Sequence, residues 1–252
     1  MTISIITITY NSEKTLKDTI KSVLNQSYKN IEYIIVDGNS KDKTIDIVKS
    51  YGDKISKFIS EPDKGIYDAM NKGLKLATGD VIGILNSDDV YFDNLVIKKV
   101  INKFKNESVD GIYGDLFYVK EDDLNNVVRY WKSSKFIQGS FSKGWHPAHP
   151  TFFVKKDIYE KYGYFDLDMK VSADFEIMLR FLEKYKITTS YLPEVIVRMR
   201  LGGESNSSIG NIINGNKDIL KAFDKNKIKV SKILYPFYRL IPKVIQVLKK
   251  GK

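Results

Sequence analysis

Residues 2–37 read TISIITITYNSEKTLKDTIKSVLNQSYKNIEYIIVD, and the fold class follows from this stretch. Ile3 to Thr9 and Ile31 to Val36 are short runs rich in β-branched residues and apolar almost throughout, the pattern of strands covered on both faces of a parallel sheet. Between them Leu16, Ile20, Val23 and Leu24 recur at helical spacing, and Asn11 and Ser12 stand where a helix cap is expected. The alternation continues outward. Lys57 to Ser60 and Val81 to Leu85 read as strands, while Thr44 to Tyr51, Ile66 to Leu74 and Leu95 to Phe104 carry helical faces, with Gly79 as the expected left-handed end of the second of these. The prediction is an α/β fold, a Rossmann-like and mostly parallel sheet with helices on both faces.

The pattern changes after Asp110. Gly111 to Lys120 and Val127 to Lys132 read as two strands around an acidic turn, followed by a loop over Gln138 to Pro150, a short strand (Thr151 to Val154) and helices over Asp157 to Tyr162 and Asp174 to Lys184. Gly202 to Asn216, rich in Gly, Ser and Asn, reads as a mobile loop that either closes over a ligand or links to the tail. Three parts are expected: 1–110 as a ligand-binding half, 111–216 as a second, catalytic half, and 217–252 as a tail.

With 252 residues, 42% of them hydrophobic, the chain can bury a large core. The absence of cysteine excludes disulfides and thiolate metal sites and fits a reducing cytoplasm. The first residues enter a strand pattern with no basic, apolar leader, so the expected location is cytoplasmic. The net charge of +10 is concentrated in the tail, where Lys217 to Lys252 hold 11 Lys or Arg against Asp218 and Asp224. There Ile233, Leu234, Phe237, Leu240 and Ile241 alternate with Lys232, Arg239 and Lys243. This suits a peripheral amphipathic segment on an anionic membrane surface. Pro236, Pro242 and the charges interrupt the run of about 20 apolar residues that spanning requires. Packing on its own domain and a dimer contact are the alternatives. A nucleic-acid binder is excluded, because the charge is confined to one tail and no binding motif accompanies it.

Each of the first four strands ends in polar residues: Tyr10-Asn11, Asp37, Glu61 and Asn86-Ser87-Asp88-Asp89. In an open parallel sheet these ends meet along one edge, where ligands bind. No Walker or GxGxxG loop is present to cradle a diphosphate. The adjacent carboxylates of Asp88 and Asp89 offer another means, a Mg²⁺ or Mn²⁺ ion held between them and the phosphates.

The stretches Ser4 to Thr44, SEPDKGIYDAMNKGLKLATGD (Ser60 to Asp80) and LNSDD (Leu85 to Asp89), followed by HPTFFV (His149 to Val154) and SADFEIMLR (Ser172 to Arg180), resemble the family 2 glycosyltransferases of the GT-A fold. The resemblance implies inverting transfer of a sugar from a nucleotide-activated donor, usually UDP-linked, with Mg²⁺ or Mn²⁺ on the diphosphate. By position, Thr9, Tyr10, Asn11, Asp37 and Asp68 match the nucleotide pocket, although Gly38 stands where many members carry a second acid. Asp88 and Asp89 match the metal motif, Asp89 as the direct ligand. Asp174 matches the catalytic base, with Ala173 where a further acid often stands and Glu176 as the rival. His149 is a candidate third metal ligand. Lys64 and Arg200 are candidate cations for the diphosphate, and Trp145, beside His146, a face for a sugar ring. Together with the tail, the resemblance suggests a surface-polysaccharide enzyme of the O-antigen or capsule type acting on a lipid-linked saccharide; a nucleotide-sugar-binding protein without transfer is the alternative.

Overall fold

The computed structural model describes residues 1–202 and 209–239. Its centre is one sheet of strands β1 (Ile3–Thr9), β2 (Ile31–Asp37), β3 (Lys57–Ser60), β4 (Val81–Ile84), β5 (Val90–Tyr91), β6 (Gly111–Val119), β7 (Val127–Trp131), β8 (Phe153–Lys155) and β9 (Thr189–Arg200). The order is β3-β2-β1-β4-β8-β6-β9-β5, with β7 added to β6. β1 to β4 pair in parallel, whereas β8 runs antiparallel to both β4 and β6. Two reversals restore the direction. The carboxyl ends of β1, β2, β4, β6 and β9 therefore lie along one edge.

The alternation of side chains along β1 separates two cores. Ile3 and Ile5 face α1 (Leu16–Leu24), α2 (Thr44–Lys49) and α4 (Val96–Asn106), where Leu16, Ile20, Val23, Val48, Val100 and Phe104 are buried. Ile6 and Ile8 face α3 (Ile66–Leu76), α6 (Ala173–Leu179) and α7 (Ile209–Lys225) through Met70, Leu74, Phe175 and Phe223. α5 (Lys156–Tyr162) follows β8 directly. The result is the expected sheet with helices on both faces.

Five local expectations are corrected. Asn11 and Ser12 do not cap α1: Asn11 takes a left-handed φ of 47° and its side chain accepts from the Lys41 amide, while the Ser12 hydroxyl meets Ser87. Gly79 is not a left-handed helix end. α3 ends at an extended Ala77, and Gly79 is required because a Cβ there would lie 2.7 Å from the Ser4 amide nitrogen. The strand expected over Thr151 to Val154 begins two residues later, after a 3₁₀ turn at His149–Thr151. β9, which contains Pro193, has no counterpart among the expected strands. The strand accommodates it in a bulge: between the pairs Tyr113↔Tyr191 and Asp115↔Val195, β6 has one residue and β9 has three. Lastly, residues 209–216 of the expected loop are helical, and α7 continues unbroken across the boundary expected at 216/217. Ile219, Ala222 and Phe223 form its buried stripe. Residues 203–208 of that loop and 240–252 of the tail lie outside the described residues.

Candidate active site

β4 ends in the turn that carries the acid pair. Asp89 is fully buried and its Oδ1 has no hydrogen-bond partner; its carboxylate is met by the Arg200 backbone amide and, at a long 3.4 Å, by Asn86 Nδ2 on Oδ2. Burial, and then the charge of Asp88, push the Asp89 carboxyl well above the ordinary aspartate value; burial also raises Asp88. The turn is anchored from two sides. Thr19, in the buried stripe of α1, shares its hydroxyl proton between the carbonyls of Ser87 (2.9 Å) and Asp89 (2.8 Å). Arg200, at the end of β9, donates to the Asp88 carbonyl at 2.6 Å, the Glu121 carbonyl at 3.0 Å and the Asp18 carboxylate at 2.7 Å. The guanidinium expected to meet a diphosphate is thus 5% exposed and occupied with holding the turn.

Among the described residues no three His, Cys, Asp or Glu side chains converge into a site that could hold an ion alone. His149 does not join the acid pair in such a set. It packs edge-on against Phe165, with Nε2 unpartnered and the imidazole pKa lowered by burial against the opposing charge of Asp174. The donor set nevertheless fits a divalent ion shared with phosphates, because Mg²⁺ takes one or two carboxylates and completes its shell with substrate oxygens and water. Asp88 and the unpartnered Oδ1 of Asp89 are two carboxylates of the kind such an ion would take.

The neighbouring strand ends form the nucleotide side. Thr9 is buried beside Asp37 in register, and its hydroxyl has no partner. Tyr10 is 62% exposed at the rim. Asp37 is buried and spent internally: its carboxylate accepts from the Ser40 hydroxyl, the Ser40 amide (3.0 Å) and Ser60 Oγ (2.7 Å). It holds the loop and leaves ligand contact to others. A Cβ on Gly38 would lie 2.5 Å from Asp63 Oδ2 and 3.4 Å from the Tyr10 ring, so Gly38, Asp63 and Tyr10 line one recess. Asp68 Oδ2 accepts from the Lys64 amide (3.0 Å) and lies 3.6 Å from Lys72, while Lys64 itself is exposed. Sequence reasoning missed Asp63 and Thr19. Asp63 stands two residues past Glu61, which instead pairs with Lys72 at 2.9 Å; Thr19 betrayed itself only as a polar residue within the apolar stripe of α1.

Across the edge, Asp174 stands in the first turn of α6, partly exposed, with Oδ1 3.3 Å from the Tyr67 hydroxyl, which also donates to the Val171 carbonyl at 2.6 Å. Glu176 is 2% exposed and bound to Arg180 (3.0 Å) and Asn226 (2.9 Å), so it is a core ion pair. Trp145 packs among Tyr113, Phe136 and Phe141. The arrangement gathers the acid pair, the recess lined by Gly38, Asp63 and Tyr10, and the partly exposed carboxylate of Asp174. That combination can hold a nucleoside diphosphate and take a proton beside it.

The profile of Glycosyl transferase family 2 matches residues 4–163. An uncharacterized glycosyltransferase of Rickettsia typhi is 31% identical over 211 residues, 79% of this chain and 64% of that protein, so the chain spans somewhat less than two thirds of this relative. A PGL/p-HBAD biosynthesis glycosyltransferase of Mycobacterium bovis is 26% identical over 96% of this chain and 91% of its own length. Two solved structures share the fold. S. aureus TarS 1–349 in complex with UDP-GlcNAc gives a TM-score of 0.70 at 18% identity, over 95% of this chain and 70% of that one. The mannosyltransferase PcManGT of Pyrobaculum calidifontis, in complex with GDP-Man and Mn²⁺, gives 0.65 at 19% identity, over 94% and 67%.

Proposed function

The chain belongs to glycosyl transferase family 2, and from that premise we propose that it moves a sugar, with inversion, from a UDP-sugar to a lipid-linked saccharide in surface-polysaccharide synthesis. The observation that carries the donor half is the buried Asp89 carboxylate, whose Oδ1 lacks a partner beside Asp88. Such a group is costly in the protein alone and is relieved by a cation and its phosphates. A divalent ion, Mg²⁺ or Mn²⁺, would be held there by Asp89 and Asp88 and would supply charge neutralisation at the departing diphosphate. Thr9, Tyr10 and Asn11 at the end of β1, together with the Asp37 loop, Asp63 and Asp68, would receive the nucleoside. Lys64 is an exposed cation at the rim of this recess.

Asp174 is the proposed base. Inversion is a direct displacement at the anomeric carbon, so the attacking hydroxyl must lose a proton on the face opposite the leaving group, and a carboxylate within hydrogen-bond reach takes it. The support for Asp174 is that it is partly exposed and accepts from the Tyr67 hydroxyl, whereas Glu176 is buried against Arg180. A peripheral position on an anionic membrane would bring the tail, and with it the acceptor side, to a lipid-anchored substrate.

Release of nucleotide from a panel of UDP- and GDP-sugars with Mn²⁺ tests the reading. Asp89→Ala is expected to lose donor binding and turnover together. Asp174→Ala should keep donor affinity and lose turnover by a factor of about 100 or more, the typical worth of a general base. Equal release from all three proteins would refute the assigned roles, and donor binding without release by the wild type would make the protein a binder.

A further inference from the structure

Arg129 is a cation that no acid among the described residues pairs with. It lies on β7 opposite Tyr118 of β6. Its guanidinium carbon stands 3.9 Å from the centre of the Tyr118 ring and 5.5 Å from that of Trp131, and its Nε is shielded from solvent without a hydrogen-bond partner. The rings beneath it supply only part of what water would, so a partly buried guanidinium in this setting favours an anion.

Its position says which anion. Tyr118 is in register with Met199, the residue before Arg200, whose guanidinium grips the Asp88 carbonyl. On the other side Trp131 meets His146 edge-on at 5.1 Å, His146 meets Phe175 at 5.3 Å, and Phe175 follows Asp174 in α6. These contacts link the stack beneath Arg129 to the strand end that anchors the acid turn on one side and to α6 on the other. Burial first, and also the charges of Asp89 and Asp174, hold the Tyr118 hydroxyl above the ordinary tyrosine value, which places both acids within electrostatic reach of this stack. Arg200 is committed to the turn, and Lys64 is exposed on the nucleoside side.

We propose that Arg129 is an anion-binding residue of the cleft, its guanidinium taking phosphoryl oxygens brought by a substrate, either the donor's diphosphate or a phosphate on the acceptor. A planar fork that donates to the Tyr118 hydroxyl and keeps its Nε unpartnered suits such oxygens at its remaining donors, which a lysine in its place would not match. The proposal rests on the donor site described above, but its first measurement needs no turnover.

Titration calorimetry with Mn²⁺ would compare UDP with UMP, and GDP with GMP, on wild type, Arg129→Gln and Arg129→Lys. If the oxygens are the donor's, the preference for diphosphate over monophosphate falls by about tenfold or more in Arg129→Gln, the scale of one charge-assisted hydrogen bond, with Arg129→Lys between. If they are the acceptor's, that preference is unchanged, and the KM for a phosphate-linked saccharide rises by a similar factor while that for the phosphate-free saccharide does not. Unchanged nucleotide affinities together with unchanged acceptor KM values would overturn the proposal. Should Arg129→Gln melt below the assay temperature, Arg129→Met, which keeps the packing on Tyr118 and Trp131, is read by the same criteria. Nucleotide binding without sugar transfer by the wild type would refute the transferase reading while leaving the calorimetric comparison intact.

Discussion

At the level of single residues, the acids along the edge divide by whether their oxygens are already satisfied. Asp37 and Glu176 have their hydrogen bonds within the protein, whereas Asp89 keeps an oxygen without a partner and Asp174 is partly exposed. Sequence alone does not separate Asp37 from Asp89, because an aspartate after a strand has the same pattern whether it braces a loop or holds a ligand. Gly38 illustrates the opposite case, where an apparent departure carries information. Its missing side chain admits the Asp63 carboxylate, and an added Cβ would collide with it. Gly38→Ala is therefore expected to displace Asp63 and lower nucleotide affinity by roughly tenfold, the loss of about one hydrogen bond to the ligand, with a change in melting temperature of only a few degrees. Calorimetry with UDP beside a thermal melt checks it, and unaltered affinity would remove Asp63 from the recess.

Among elements, the register of β2 depends on a buried carboxylate. Glu32 on β2 accepts from Ser4 Oγ on β1 (2.5 Å) and from the Thr78 amide and hydroxyl (each 2.7 Å) before β4, and pairs with Lys57 on β3 at 2.7 Å. Burial opposes its charge, but Lys57, Ser4 and Thr78 together lower its pKa from 4.5 to about 2. The folded value is depressed, so the stabilisation is fully present above pH 4.5 and is lost as pH falls toward 2. At neutral pH Glu32→Gln should cost on the order of 2 kcal/mol, less than the full shift implies because Lys57 is partly exposed. Urea titrations of both proteins at pH 7 and pH 3.5 would measure this: the difference should narrow at the lower pH, and a constant gap would refute the assignment.

For the whole molecule, the decisive contact is between α6 and the chain beyond the expected loop. Phe223 packs on Phe175, one residue from Asp174, and Tyr235 closes on Phe223. The tail read as a separate segment is, up to Arg239, partly a support for the helix that carries the proposed base. Farther along, Ile233, Leu234 and Phe237 are exposed beside Lys229 and Lys232. Among the described residues no helix is long and apolar enough to cross a membrane. Two changes separate the two roles. Phe223→Ala should destabilise the fold by about 3–5 kcal/mol, the usual cost of emptying a buried aromatic site. Replacing Ile233, Leu234 and Phe237 by Ser should leave the melt and transfer to a soluble saccharide unchanged, and reduce binding to vesicles containing anionic lipid. Retained vesicle binding would move the membrane contact elsewhere.

The β-branched runs of β1 and β2, the stripe of α1 and the acid pair after β4 were legible from the amino-acid sequence because periodicity and strand-end polarity are local properties. They determined the fold class and, with the stretches Ser60 to Asp80 and Ser172 to Arg180, the family. β9, α7 and the contacts of Arg200 and Glu176 were decided only in three dimensions. Each depends on a partner far along the chain: Arg200 on Asp18 and Asp88, Glu176 on Asn226, and β9 on a bulge against β6 that absorbs Pro193. A charged side chain shows its type in sequence, but whether its charge is already neutralised depends on which distant groups the fold brings within about 3 Å of it.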